Sequence, residues 1–86
     1  MADIIIYTTQ TCPYCVKAKD LLKKKGLTSY KEIDVSGNDI LREEMVKKAN
    51  GLRTVPQIFI NGSHVGGCDN LYQLDREGKL DQLVAS

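Results

Sequence analysis

The chain has no tryptophan, one phenylalanine, one histidine and two prolines in its 86 residues. It also has no excess of either charge: 12 lysines and arginines stand against 11 aspartates and glutamates, for a net +1. That balance removes any electrostatic case for a nucleic-acid partner or an anionic membrane surface. Long apolar runs are missing too. The longest is Ile4-Ile5-Ile6, far short of the ~20 residues a membrane span requires. Met1-Ala2-Asp3 carries neither a basic region nor a long apolar stretch, so we expect no secretory signal and a cytoplasmic protein. Stable structural disulfides are then unexpected. Three cysteines are also an odd number, which no closed intramolecular framework uses up. The cysteines need a chemical explanation.

What is present is ordinary in amount. Hydrophobic residues make up 42% and charged residues 27%, near globular averages, which argues against general disorder. Domains typically hold about 100–200 residues, so we expect one domain spanning residues 1–86. There is no internal repeat, low-complexity tract or linker.

Ile4-Ile5-Ile6-Tyr7 reads as a buried strand. Thr8 to Thr11 is polar loop, and Pro13 suits the first position of a helix, where its missing N–H would be unpaired anyway. Ala18, Leu21 and Leu22 recur at helical spacing, and Gly26 supplies a stop. Lys23-Lys24-Lys25 falls in the last turn, where cations oppose the negative dipole end. Residues 29–35 read as an edge strand. Ser36 with Asp39 matches the serine-x-x-acid start of a second helix, with Asn38 a competing cap. Leu41, Met45 and Ala49 line one face of that helix, Glu43/Lys47 and Glu44/Lys48 are spaced to pair, and Asn50-Gly51 ends it.

Gln57 to Ile60, Asn61-Gly62 and Ser63 to Val65 form the clearest hairpin, because Asn-Gly suits the positive φ angles of a type I′ turn. Gly66-Gly67 breaks the second strand. Cys68 or Asp69 opens a helix through Leu71 and Leu74 that Gly78 closes, and Leu80, Leu83 and Val84 suggest a last short helix. The order is β-α-β-α-β-β-α. A right-handed βαβ unit followed by an antiparallel hairpin implies an α/β protein with a four-stranded mixed sheet flanked by helices.

Cys12-Pro13-Tyr14-Cys15 follows the first strand and opens the first helix. Helix geometry sets residues i and i+3 about 5 Å apart at Cα, inside the roughly 4.4–6.8 Å window of a disulfide. As a staple the pair is weak: a four-residue ring contributes about 2 kcal/mol, against ~3 for a fifteen-residue loop. As a reactive pair it is well placed. Cys12 sits where helix N–H groups point outward, which favours thiolate over thiol. Cys15, one turn deeper, is shielded and can attack a mixed disulfide formed at Cys12. Two other readings stay open, half of a metal site and a pair of incidental cysteines. Cys68 and His64 are the only other soft ligands, with spacing unlike a zinc knuckle, so no metal is expected. His64 by itself reads as an ordinary strand residue.

Thr54-Val55-Pro56 precedes the third strand, and the residue before a proline is pushed to an extended conformation. With a cis Val55-Pro56 bond, the Val55 backbone could pair with an extended thiol peptide. With a trans bond, Pro56 merely starts a strand. Gly66-Gly67-Cys68-Asp69 offers N–H groups at a helix start, suited to a carboxylate. Asp69 would hold an ammonium group, cap the helix, or do both. A small zwitterionic peptide carrying a thiol fits both ends of this description.

The chain resembles the glutaredoxins, and among them the short bacterial kind. The likeness rests on Cys-Pro-Tyr-Cys at 12–15, Thr-Val-Pro-Gln-Ile-Phe-Ile at 54–60 and Gly-Gly-Cys-Asp at 66–69, in family order and spacing, and covers nearly all 86 residues. The resemblance implies a thioredoxin fold and reduction of protein disulfides and glutathione mixed disulfides, with glutathione as co-substrate. It implies Cys12 as nucleophile, Cys15 as resolving thiol, Tyr14 flanking a glutathione groove, and Val55 pairing with the cysteinyl backbone beside a cis Pro56. It assigns Thr54, Cys68 and Asp69, with Gly67 beside them, to the γ-glutamyl end, and Gln57 and Arg53 to the glycyl carboxylate. Electron delivery to ribonucleotide reductase is a known job of such proteins, and a monomer is expected.

One position departs from the family pattern. Many glutaredoxins carry a lysine three residues before the first active cysteine, where this chain has Thr9. The departure predicts weaker glutathione binding and leaves the helix start with Arg53 or Lys17 to supply positive charge. A thioredoxin fed by a flavoprotein reductase is opposed by the absence of tryptophan and by Pro-Tyr rather than Gly-Pro between the cysteines. A dimer holding an iron–sulfur cluster through Cys12 and external glutathione is the alternative of a different class.

Overall fold

The computed structural model describes residues 3–85. In chain order these form β1 (Ile4–Thr8), α1 (Pro13–Lys24), β2 (Lys31–Asp34), α2 (Asp39–Lys48), β3 (Gln57–Ile60), β4 (Ser63–Gly66), α3 (Cys68–Arg76) and α4 (Lys79–Ala85). The strands lie side by side as β2-β1-β3-β4. β1 is parallel to β2 and antiparallel to β3, and β3 is antiparallel to β4. This is the mixed sheet that the element order implied, with β2 at an edge.

Alternation along the two central strands sorts the core into two layers. Ile4 and Ile6 of β1 join Ile58 and Ile60 of β3 in one cluster, closed by Ala18, Leu21 and Leu22 of α1, Leu71 of α3 and Leu80 of α4. Tyr7 and Phe59 belong to the other, with Val35, Met45 and Ala49. Both faces of β1 are therefore covered, which is why Ile4-Ile5-Ile6-Tyr7 shows no polar alternation. The Tyr7 and Phe59 rings meet edge-on with centroids 5.7 Å apart.

The start of α2 differs from one sequence expectation. Asn38 is the cap, its Oδ1 accepting the Leu41 N–H at 3.0 Å. Ser36 is used elsewhere: its Oγ accepts the Gln10 N–H at 2.9 Å. That bond ties the loop leading to Cys12 to the loop after β2. The Glu/Lys pairs spaced along α2 do not form among the described residues. Glu43 reaches Arg53 at 2.9 Å, and Lys48 Nζ donates to the Tyr7 phenol at 3.5 Å. Pairs of that spacing contribute only about 0.2–0.5 kcal/mol, so partners from other elements displace them easily.

The hairpin turns through Asn61 and Gly62 at φ 52° and 82°, as a type I′ turn requires. The turn sets Ser63 opposite Ile60 and His64 opposite Phe59. Further along the ladder slips, and Gly66 rather than Val65 stands opposite Ile58. Val65 is thus an extra residue, a bulge, and β4 runs through Gly66 before α3 begins at Cys68. No described helix is long and apolar enough to cross a membrane.

Candidate active site

Cys12 is the N-cap of α1, with extended backbone (φ −133°, ψ 100°) and a proline following at the first helical position. An N-cap side chain ordinarily offers an oxygen to an N–H two or three residues on. Here sulfur takes that place, Cys12 Sγ accepting the Cys15 N–H at 3.1 Å. The same sulfur stands 3.7 Å from the Val55 carbonyl oxygen, to which the thiol donates. The Val55-Pro56 bond is cis.

Cys15 lies one turn into α1 and is 1% exposed. Burial first, and the hydrogen bond with Cys12 second, push its thiol from 9.0 up to about 12. Behind it Lys19 pairs with Glu32 at 3.0 Å, and Thr8 Oγ1 donates to the same carboxylate at 2.8 Å. Burial alone would raise the Glu32 carboxyl; the hydrogen bonds from Thr8 and Lys19 more than offset it and hold it below its ordinary value. The three cysteines are free thiols.

A hollow of about 220 Å³ opens along the Thr54–Gln57 loop; Cys12 does not line it but meets it through the Val55 carbonyl. Tyr14 lines it together with Thr54, Val55, Pro56 and Gln57 on one side and Gly67, Cys68 and Asp69 at the start of α3. Arg53 is outside that lining. Its guanidinium pairs with Glu43 at 2.9 Å, and its carbonyl accepts from Arg42 Nη2 at 3.2 Å. Gln57 is 1% exposed, and its amide is committed within the protein. Nε2 donates to the Thr54 carbonyl at 2.9 Å and to the Thr54 hydroxyl at 3.1 Å, while Oε1 lies 2.7 Å from His64 Nε2.

At the start of α3 the Gly67 N–H donates to Asn70 Oδ1 at 3.1 Å. Cys68 and Asp69 follow as the first helical residues, whose N–H groups have no intrahelical carbonyl to meet. They are the donors a carboxylate would find. Cys68 is buried in the core cluster. Burial, then the neighbouring Asp69 charge, raises its thiol above the ordinary value. Asn70 escaped the sequence reading, although its place three residues after a helix-capping glycine is the position from which a side chain reaches back.

A second hollow, about 330 Å³, shares Tyr14, Cys68 and Asp69 with the first and adds Lys17, Tyr72 and Arg76. Lys17 Nζ lies 5.6 Å from the centre of the Tyr14 ring, a contact legible in their spacing of three along one helix. Tyr72 Oη donates to the Lys17 carbonyl at 3.2 Å. Among the described residues no group of three or more His, Cys, Asp or Glu side chains could hold a metal ion.

A cysteine at a helix start, a second one turn deeper and a groove along the Thr54–Gln57 loop fit the chemistry of thiol–disulfide exchange. The family model for glutaredoxin matches residues 4–65. Glutaredoxin 3 of Escherichia coli is 55% identical over 84 residues, covering 98% of this chain and 99% of that protein. The solution structure of glutaredoxin from Brucella melitensis is 55% identical, with a TM-score of 0.84 over 98% of this chain and 89% of that one. A buckwheat glutaredoxin–glutathione complex is 30% identical, with a TM-score of 0.87 over 98% of this chain and 77% of its own. The chain belongs to the glutaredoxin family, with the thioredoxin fold and the thiol–disulfide oxidoreductase chemistry of that family.

Proposed function

We propose that this chain is a glutathione-dependent dithiol oxidoreductase, one domain over residues 1–86, that reduces glutathione mixed disulfides and protein disulfides. The observation that carries this is the setting of Cys12 Sγ, between the Cys15 N–H at 3.1 Å and the Val55 carbonyl at 3.7 Å, at the side of a groove. In the first route the Cys12 thiolate attacks the glutathionyl sulfur of a mixed disulfide. The old S–S bond breaks, and its electron pair leaves on the substrate sulfur, which takes a proton from solvent. Glutathione is then bonded to Cys12. Its cysteinyl backbone lies on Val55 and its γ-glutamyl carboxylate on the N–H groups of Cys68 and Asp69, beside Gly67, Thr54 and Tyr14. The Asp69 carboxylate holds its ammonium. A second glutathione thiolate attacks the glutathionyl sulfur, releasing glutathione disulfide and restoring the Cys12 thiolate.

In the second route Cys12 bonds to one sulfur of a protein disulfide. Cys15 loses its proton and attacks Cys12 Sγ; the protein leaves as a dithiol, and two glutathiones reduce the resulting Cys12–Cys15 disulfide. A Cys15 thiol pushed up to about 12 supports external glutathione as the ready resolver, since the thiol stays protonated at neutral pH and the thiolate is the nucleophile. Two of the causes of that shift, the hydrogen bond and the charge of Cys12, disappear once Cys12 is in a mixed disulfide, so Cys15 becomes easier to ionise when it is needed. Arg53 would meet the glycyl carboxylate by leaving Glu43, an exposed partner whose loss costs at most about 1 kcal/mol. Gln57 serves that end of the groove by holding Thr54.

The partners proposed are glutathione and glutathionylated or disulfide-bonded proteins, ribonucleotide reductase among them, met by a cytoplasmic monomer. Glutaredoxin potentials of about −200 to −230 mV lie close to the extraction-based glutathione poise, so the ratio of the pool sets the direction. A disulfide-reduction assay coupled to glutathione and its reductase tests the assignment. Cys12→Ser is expected to lose both activities, and Cys15→Ser to keep mixed-disulfide reduction while losing protein-disulfide reduction. Loss in Cys15→Ser with retention in Cys12→Ser would overturn the roles. Visible absorbance in freshly purified, inactive protein would replace this reading with that of a cluster carrier.

A further inference from the structure

His64 is the one histidine of the chain, and the hairpin delivers it to an unexpected place. Standing opposite Phe59, its ring packs at 5.0 Å between centroids against the Phe59 ring. From there Nε2 lies 2.7 Å from Gln57 Oε1, and Nδ1 lies 3.3 Å from Asn50 Nδ2. Gln57 sets the direction of these bonds. Its nitrogen faces the Thr54 carbonyl at 2.9 Å, and a carbonyl oxygen can only accept, so the oxygen of the amide must face His64. His64 Nε2 therefore carries the proton and donates, leaving Nδ1 to accept from Asn50. The result is a one-way chain from Asn50 through His64 and Gln57 to Thr54. Thr54 adjoins Val55, whose carbonyl stands 3.7 Å from Cys12 Sγ.

We propose that His64 is a positioning residue for the substrate groove: by donating to Gln57 it fixes the Thr54–Val55 backbone where a bound thiol peptide must pair with it. The proposal rests on the groove reading given above. Gln57 is 1% exposed, so an Oε1 deprived of its donor is a buried acceptor without a partner. That state drives the amide to rotate toward another donor and let go of Thr54. The loop then fluctuates about the geometry that the substrate selects, and binding weakens while the chemistry at Cys12 stays intact.

Two variants separate this role from simple packing. His64→Phe keeps a ring against Phe59 and removes both nitrogens; His64→Gln restores an amide donor at the reach of Nε2. Two measurements follow each: hydrogen exchange at the Thr54 and Val55 amides in the reduced protein without substrate, and steady-state kinetics with a glutathionylated peptide. His64→Phe is expected to exchange faster at those two amides and to raise KM about five- to tenfold, the worth of one buried hydrogen bond, with kcat within about twofold of wild type. His64→Gln is expected to return both toward wild type. Faster exchange spread over β3 and β4, with kcat falling and no rescue by His64→Gln, would mean a merely structural histidine and overturn the proposal. So would unchanged loop exchange, or faster loop exchange with an unchanged KM. A wild-type protein inert toward the glutathionylated peptide would sink the substrate reading separately, and exchange at Thr54 and Val55 would still decide whether His64 holds the loop.

Discussion

Raising the pH of the reduced protein from 8 to 11 strips the proton from Cys15 in the unfolded chain, whose thiol has the ordinary value of 9.0, but not in the folded one, where it is pushed up to about 12. The cause is burial first and the hydrogen bond with Cys12 second, in a side chain 1% exposed. The folded state holds the proton more tightly, so the resulting stability is fully present below pH 9 and is lost as the pH climbs toward 12. At roughly 1.4 kcal/mol per unit, the loss between pH 8 and 11 comes to about 2–3 kcal/mol. That is a large share of the roughly 5–15 kcal/mol that holds a domain folded. Lysines contribute in the same direction: Lys19, raised chiefly by its hydrogen bond to Glu32, and Lys25, raised chiefly by Asp75 and then Asp81, lose their stabilisation above 10.5. Cys15→Ala isolates the thiol, because the lysines titrate in both proteins. The assay is urea unfolding of both under a phosphine reductant at pH 8, 9, 10 and 11. The free-energy difference, wild type minus variant, should fall by about 2–3 kcal/mol across the series. A constant difference would refute the buried-thiol reasoning.

Two further outcomes can be stated. Thr9→Lys should lower the KM for glutathione about three- to tenfold by supplying a charge-assisted partner for a carboxylate; an unchanged KM together with an unchanged thiolate titration would remove any role for that position. Gly66→Ala should destabilise by about 2 kcal/mol or more, since Gly66 has φ +120° and an added Cβ would lie 2.6 Å from Asn70 Oδ1. Thermal unfolding reads the loss directly, and a melting temperature equal to that of wild type would show that the start of α3 accommodates the methyl group freely.

Where the sequence was transparent, local chemistry decided the outcome. Pro13 opens α1 because of what proline lacks, and Asn61-Gly62 turns because both residues reach positive φ, 52° and 82°. The start of α2 was opaque for the opposite reason. Ser36-x-x-Asp39 and Asn38 both satisfy the pattern of a cap, and the choice was made by a group outside the pattern, the Gln10 N–H that engages Ser36 Oγ at 2.9 Å. Glu43 likewise prefers Arg53, arriving from the loop before β3, over Lys47 on its own helix. Spacing along one element cannot register a partner brought by another.

The active site divides along the same line. Cys12 and Cys15 are legible because a single helical turn separates a capping sulfur, which accepts an N–H at 3.1 Å, from one sunk to 1% exposure. The support beneath the groove is not, because it depends on strand parity. Gln57 turns under its own loop, and it has a donor there because the two-residue turn puts His64 opposite Phe59. One more residue in that turn would shift the register by one and carry His64 to the other face of the sheet, beside Ile58 and Ile60. His64 therefore acquires its role from Asn61-Gly62, and no property of a lone histidine in a strand would reveal it. A turn that reads as a simple connection is, by this reasoning, what lets the distant hairpin hold the peptide group facing the reactive sulfur.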